Sequence, residues 1–213
     1  MTVEEIVAAR SITEVVHFTT NHGCLGTLYT EHLQSRKRLQ NDKMVKYLFA
    51  PNANLRKDPT YVDYVSLSVS HINTDFFQVS SQSWHRDEPI FWCVLSFSPD
   101  ILSHEGVVFS STNNIYPSVI RGVGAPGLEV LFANKVAGRY GSITNRSTRL
   151  PASYPTDFQA EALYPRKIST DFLQRIYVAN TADQSEIIGF LKATFHRDVD
   201  VVVSPEKFGA RPI

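Results

Sequence analysis

The hydrophobic and polar positions fall into a succession of short elements. Thr2 followed by Glu5 forms a capping box, in which the threonine hydroxyl accepts from a first-turn amide while the glutamate answers the cap's own N–H. This predicts a helix over residues 3–10. The apolar run Val15-Val16-His17-Phe18-Thr19 follows as a strand. Asn21 to His32 reads as a helix with Leu25 and Leu28 inward, ahead of the basic run Arg36-Lys37-Arg38. A further helix is predicted from Asp42 to Phe49, then a polar loop containing Asn52, Asn54 and Pro59. Tyr64-Val65-Ser66-Leu67-Ser68-Val69-Ser70 alternates apolar with small polar residues, as a half-buried strand does. Phe76 and Phe77 fall on a short helix, and Ile90 to Phe97, apolar on both faces, is a central strand.

From Ser110 to Pro155 the chain is rich in Gly, Pro, Asn, Ser and Thr, with one apolar island, Leu128 to Phe132, that predicts a short helix. A loop system of this length in a compact domain is usually functional or mobile. Phe158 to Tyr164 and Gln174 to Val178 close the pattern as strands, with a helix from Asp183 to Phe195 leading into Asp200-Val201-Val202-Val203. Strands predominate and helices pack outside them, so the class is α+β. No repeat or linker divides the chain, and residues 1–213 are expected to form one domain.

Composition narrows this picture. A chain of 213 residues, 43% hydrophobic and 20% charged, can bury a core without disulfides or metals. Lys plus Arg and Asp plus Glu both total 21, so a generally basic nucleic-acid binder is excluded and any basic site must be local. Lys135, Arg139, Arg146 and Arg149 supply one, with no acidic residue following them until Asp157. Cys24 and Cys93 lie in apolar surroundings without metal or redox spacing, and are expected to be buried and reduced. The acidic N-terminus lacks a signal-peptide core, and no stretch reaches the roughly 18 to 20 apolar residues needed to span a bilayer, so a cytoplasmic protein is expected. With no obvious exposed apolar stripe, a monomer without metal is the expectation.

The sharpest chemical feature is Phe158-Gln159-Ala160-Glu161-Ala162-Leu163. Strand periodicity would put Gln159 and Glu161 on one face, a carboxylate and an amide aimed into the same space. Such a glutamate can hold a sugar hydroxyl and stabilise positive charge developing at an anomeric carbon, while the amide orients the substrate. From the tripeptide alone, an edge strand with one solvent-facing polar pair is the favoured reading. His17, then Phe18-Thr19 and the helix start at Asn21 and Gly23, form a possible nucleotide cradle, since backbone donors at a helix start suit an anionic or amide-bearing ligand. Ser68 and Ser70 could line the same pocket. Arg36, Lys37, Arg38 and Arg56 are candidates for phosphate contacts, and Trp84, His85 and Arg86 for base stacking, although solvated charges and core aromatics are the commoner outcomes. Gly122-Val123-Gly124-Ala125-Pro126-Gly127 matches a dinucleotide-binding glycine pattern but follows no predicted strand, and reads as a flexible loop.

These residues together resemble the DarT family of DNA ADP-ribosyltransferases, toxins of bacterial toxin-antitoxin pairs. The resemblance spans nearly the whole chain. It is carried by His17-Phe18-Thr19, Asn21 to Leu28, Leu33-Gln34-Ser35-Arg36, Gln159-Ala160-Glu161 and Leu173-Gln174-Arg175-Ile176-Tyr177-Val178 in that order. It implies an ADP-ribosyltransferase fold, in which two packed, mainly antiparallel sheets form a cleft for NAD. His17 and Thr19 would grip the nicotinamide end, with the backbone around Phe18 on its amide and Phe76 or Phe77 against its ring. Asn21, Gly23 and Leu25 would belong to the pocket helix, Arg36 would serve the pyrophosphate, and Ser68 and Ser70 would lie along the wall. Glu161 would be catalytic with Gln159 beside it.

The segment Gly138 to Arg149, with Arg139, Tyr140, Arg146 and Arg149, would face DNA, and Arg38 and Arg56 are candidates near the acceptor base. Asp63 to Ser70 and Thr112-Asn113-Asn114-Ile115-Tyr116 are more similar to the guanine-modifying branch than to the thymine-modifying one. The resemblance thus implies transfer of ADP-ribose from NAD to a base of single-stranded DNA, with a cognate antitoxin, a macrodomain or related hydrolase, removing it. An ADP-ribosyltransferase acting on protein or RNA, and a non-catalytic nucleic-acid binding domain, are the competing readings.

Overall fold

The computed structural model describes residues 1–41, 60–86 and 89–210. The expected helix over 42–49, the polar loop that follows it and Arg56 lie outside the described residues. Among those described, eight strands make one mixed sheet in the order β12-β11-β4-β1-β3-β9-β5-β6. These strands are β1 (Val15–Thr20), β3 (Tyr64–Val69), β4 (Trp92–Phe97), β5 (Val108–Ser110), β6 (Arg121–Val123), β9 (Glu161–Pro165), β11 (Leu173–Val178) and β12 (Asp200–Val203). Neighbours run antiparallel except β11 and β12, which are parallel and joined by the helix Thr181–Ala193. Two small ladders stand apart, β2 (His32–Gln34) with β10 (Lys167–Ser169), and β7 (Lys135–Ala137) with β8 (Ile143–Asn145).

The sheet is split where β1 meets β3. β1 pairs with β4 along its full length, from Val15 opposite Phe97 to Thr20 opposite Trp92. Against β3 it pairs only at Val15 with Val69 and Val16 with Ser68. β3 meanwhile runs beside β9 from Tyr64 opposite Pro165 to Leu67 opposite Ala162. The two sheets expected from the family resemblance are therefore two halves of one sheet that part beyond Val16.

Alternation decides which side chains make the core. Val15 on β1 and Cys93, Leu95 and Phe97 on β4 join a large cluster with Ile6, Leu28, Leu128 and Ile187 from the helices, while Val16, Val94 and Tyr177 face the other side with Ile72. This double burial explains why Ile90 to Phe97 is apolar throughout. Both cysteines are buried and free. The capping box at Thr2 and Glu5 is formed, opening the helix Val3–Ala9.

Several local expectations change. The helix from Asn21 ends at Tyr29, because the next residues enter β2, and Leu25 is only half buried while Cys24, Thr27 and Leu28 are inside. The glycine-rich stretch at 122–127 is not a flexible loop: β6 precedes it and a helix runs from Gly124 to Val130. A Cβ on Gly127 would stand 2.3 Å from the Gly122 carbonyl carbon, so these glycines let the helix backbone lie directly against the strand it leaves. The strand expected from Phe158 begins only at Glu161, the preceding three residues forming a turn.

Candidate active site

Where β1 and β3 diverge, a cleft of 480 Å³ opens between them, within the range of small-molecule sites. One wall is Val16 to Thr20 on β1 with Gly23 on the following helix; the other is Tyr64, Val65, Ser66 and Ser68 on β3 with Glu161 and Leu163 on β9. Leu33 to Arg36, Leu39, Tyr61, Val62, Asn73, Phe76, Trp84 and the loop Asn113-Asn114-Ile115 complete the lining.

Glu161 is 6% exposed and opens β9 opposite Ser110 of β5. Its Oε1 accepts a short hydrogen bond from the Ser66 hydroxyl, and its Oε2 accepts from the Asn114 backbone N–H at 2.7 Å. Donors on both oxygens fix the carboxylate's direction. Asn114 is itself clamped: the Arg121 guanidinium donates to its side-chain oxygen at 2.7 Å and to its carbonyl at 2.5 Å. Arg121 also lies 5.6 Å from the ring centre of Tyr61, a cleft residue.

Across the split, the His17 Nδ1 meets the Ser66 carbonyl at 2.8 Å. A carbonyl only accepts, so Nδ1 is the donor. The helix Asn21–Tyr29 starts close against β1 because Gly23 has no side chain, a Cβ there falling 2.0 Å from the Thr19 hydroxyl oxygen. Thr20 caps this helix by accepting from the Gly23 N–H at 3.2 Å. Phe18 sits in an aromatic nest, its ring centre 5.5 Å from Phe76, 5.4 Å from Phe77 and 5.8 Å from Trp92. Arg38 donates from Nε and from its terminal nitrogen to the two oxygens of Asp63 at 3.1 and 3.4 Å, and Ser35 donates to the same carboxylate at 2.7 Å. Burial raises the Asp63 carboxyl, but the Ser35 and Arg38 hydrogen bonds outweigh it and hold the group below its usual value.

The structure thus brings His17, Phe18, Thr19, Gly23, Arg36, Ser68 and Glu161 to one cleft. Other expected residues stand elsewhere. Asn21 is buried with its amide donating to Glu186, Ser70 donates to the Ser153 carbonyl, and Phe77 packs behind Phe18 while Phe76 takes the lining position. Gln159 does not share a strand face with Glu161: it lies in the preceding turn, where its side-chain oxygen accepts from the Tyr116 hydroxyl at 2.8 Å. Arg38 is held by Asp63. Arg146 donates to the carbonyls of Tyr154, Pro151 and Ala152, so its guanidinium ties down a loop. Arg139, Tyr140 and Arg149 are exposed on the β7–β8 hairpin and beyond it. Trp84 lines the cleft, whereas His85 is buried beside Trp92.

Sequence reasoning missed Ser66, although the alternation that singled out Ser68 puts Ser66 on the same face. It also missed the grip of Asn114 and Arg121 on the glutamate, for which no spacing rule exists. Among the described residues no group of three or more His, Cys, Asp or Glu could hold a metal, and no helix is long and apolar enough to cross a membrane.

A model of the DarT family, described as ssDNA thymidine ADP-ribosyltransferase, matches residues 17–209. No curated relative matches the sequence. Among solved structures, Thermus sp. 2.9 DarT in complex with NAD+ superposes with a TM-score of 0.62 at 15% identity, covering 92% of this chain and 98% of that one. The same Thermus protein with ADP-ribosylated ssDNA gives 0.61 at 15% identity, covering 93% and 97%. Thermosipho africanus DarTG in complex with ADP-ribose gives 0.57 at 10% identity, covering 92% of this chain and 51% of that one. At these identities the likeness establishes the fold.

Proposed function

The chain belongs to the DarT family of ssDNA thymidine ADP-ribosyltransferases, and from that premise we propose that its cleft binds NAD and that Glu161 directs transfer of ADP-ribose to a base of single-stranded DNA. The observation that carries the reading is the Glu161 carboxylate, fixed from both sides by Ser66 and Asn114 at the edge of the cleft. A carboxylate so held can accept from the nicotinamide-ribose hydroxyl and stabilise the positive charge that grows on the anomeric carbon. The glycosidic bond breaks, nicotinamide leaves with the bonding electrons, and a base nitrogen supplies the pair for the new bond and gives up its proton to solvent.

His17, Thr19 and the Phe18 backbone serve the nicotinamide end, Phe76 packs on the ring, and Arg36 serves the pyrophosphate. Ser68 lies on the wall, and Gln159 acts through Tyr116 on the loop over the glutamate. Arg139, Tyr140 and Arg149 meet DNA, whose phosphates favour these exposed basic side chains. Single strands suit the reaction because unstacking a base costs least there.

In the cell the protein is proposed to act as a cytoplasmic toxin, with an antitoxin that removes ADP-ribose as its partner. The likeness to Thermosipho DarTG supports such a pairing. For the acceptor, the 63–70 and 112–116 segments favour guanine and the family description names thymidine. Incubation with labelled NAD and single-stranded oligonucleotides that each lack one base decides between them by which omission removes the added ADP-ribose. Glu161→Ala should keep the fold and NAD binding and lose DNA modification and toxicity. Full activity of that variant, or labelling of protein or RNA alone, would overturn the reading.

A further inference from the structure

Tyr140 is 89% exposed at the tip of the β7–β8 hairpin, with a backbone φ of 55° in the left-handed region that non-glycine residues seldom enter. Folding accounts for neither property, since an exposed turn position would be better served by glycine or asparagine. The adjacent Arg139 lies with its guanidinium carbon 4.5 Å from the Tyr140 ring centre and donates to its hydroxyl at 2.8 Å. Ring and cation are thus presented together at the exposed tip. Ile143, 62% exposed, stands on the strand that leaves the tip.

The tip is also anchored to the catalytic loop. Gly138 donates to the Ser142 carbonyl at 2.8 Å, closing the turn, and its own carbonyl accepts from Ser118 at 2.9 Å. A Cβ on Gly138 would lie 3.7 Å from an Asp157 oxygen, and the other oxygen of Asp157 accepts from the Gln159 N–H at 2.8 Å. Gln159 in turn accepts from Tyr116, next to Ile115, which lines the cleft mouth and is 57% exposed. From Val130 to Thr156 there is no acidic residue, and Lys135, Arg139 and Arg149 are exposed there.

Resting on the reading that this cleft modifies single-stranded DNA, we propose that Tyr140 with Arg139 is a stacking platform for a base of the bound strand that lies outside the cleft, beyond the acceptor nucleotide and its immediate neighbour. The class of ligand follows from the surface: an aromatic face binds any base, an arginine stacked on it adds cation–π attraction and meets the phosphate, and both tolerate sequence. The left-handed backbone holds the ring out from the hairpin, open to a base of the strand. Specificity for the acceptor then belongs to the cleft, and affinity for the strand to the hairpin.

The test compares modification kinetics on a dinucleotide and on a ten-nucleotide strand containing the acceptor base. Tyr140→Ala should raise KM for the ten-nucleotide strand about 10- to 100-fold, as expected for losing one stacked base, with kcat at saturating DNA kept and the dinucleotide KM unchanged. Tyr140→Phe, which keeps the ring and loses only the hydroxyl that Arg139 donates to, should raise the ten-nucleotide KM less than Tyr140→Ala does. Tyr140→Gly should show the Ala-like KM together with a higher Tm, because glycine relieves the backbone; a structural tyrosine would give a lower Tm. An unchanged ten-nucleotide KM in Tyr140→Ala, or an equal rise on both substrates, would overturn the platform while leaving the enzymatic reading intact. A wild-type protein that modifies neither oligonucleotide would overturn that reading, and the platform with it.

Discussion

The Ser66 hydroxyl donates to Glu161 from β3, and the Ser66 carbonyl accepts from His17 on β1. One residue therefore touches both the carboxylate and the opposite wall of the cleft, its side chain serving one and its backbone the other.

Ser66→Ala separates these roles, because it removes the donor to Glu161 and leaves the carbonyl in place. A hydrogen bond to a charged group contributes about 1.5–3 kcal/mol, or roughly 10- to 150-fold in rate if the glutamate acts in the transition state. The expected result is a fall in kcat of that size with little change in KM for NAD. A change in KM alone would assign Ser66 to substrate binding.

Arg121 acts at one remove, by clamping Asn114. Arg121→Ala should lower kcat about tenfold, the size of one charge-assisted hydrogen bond, through a looser Asn114 N–H on Glu161. Arg121→Lys should fail to restore it, since a lysine cannot reach the Asn114 side chain and carbonyl with a planar fork. Wild-type rates in Arg121→Lys would show that charge alone is enough.

Gly127→Ala forces a methyl against the Gly122 backbone, which cannot step aside as a side chain could. Overpacking of this kind costs about 1–3 kcal/mol, and a matching drop in stability to urea is expected. KM for NAD should stay the same, because Gly122 and Gly127 do not line the cleft. A selective loss of NAD binding would return this glycine pattern to the dinucleotide role its spacing suggests.

Glu14 is buried and accepts from Lys207, from Ser96 at 2.6 Å and from Tyr177 at 3.0 Å. Burial alone would lower the Lys207 pKa, but the hydrogen bond and charge of Glu14 raise it above 10.5. A raised lysine contributes stability that is complete below its unfolded value and lost as pH climbs through the folded one. Lys207→Met should therefore cost about 2 kcal/mol near neutrality, below the figure for a fully buried pair because Lys207 is partly exposed. The gap in Tm between the two proteins should close only above about pH 10.5. A gap that closes near pH 7 would mean that another group governs it.

The sequence made the strands and the glutamate legible for different reasons. Alternation at Tyr64 to Ser70 and unbroken apolarity at Ile90 to Phe97 follow directly from one-sided and two-sided burial. The capping box at Thr2 is local and was fully written in four residues. Glu161 was reached through a strand register that does not exist at Gln159, because the turn at Asp157 to Ala160 depends on the Asp157 carboxylate capturing the Gln159 N–H. Charge was the least informative signal. Arg38, Arg139 and Arg146 look alike in sequence, yet one pairs with Asp63, one stacks on an exposed tyrosine and one satisfies loop carbonyls, and only tertiary structure sets these partners.

The sheet's two halves share two rungs at Val15 and Val16, and beyond them no backbone rung joins β1 to β3, only the His17 side chain on the Ser66 carbonyl. A molecule gripping both edges would supply the rungs the protein lacks, so substrate would act as a stitch in the fold as well as a reactant. NAD should then raise Tm in proportion to its occupancy and slow amide exchange along Phe18 to Thr20 and Tyr64 to Ser66, whereas nicotinamide alone, too short to reach across, should leave the seam as loose as before.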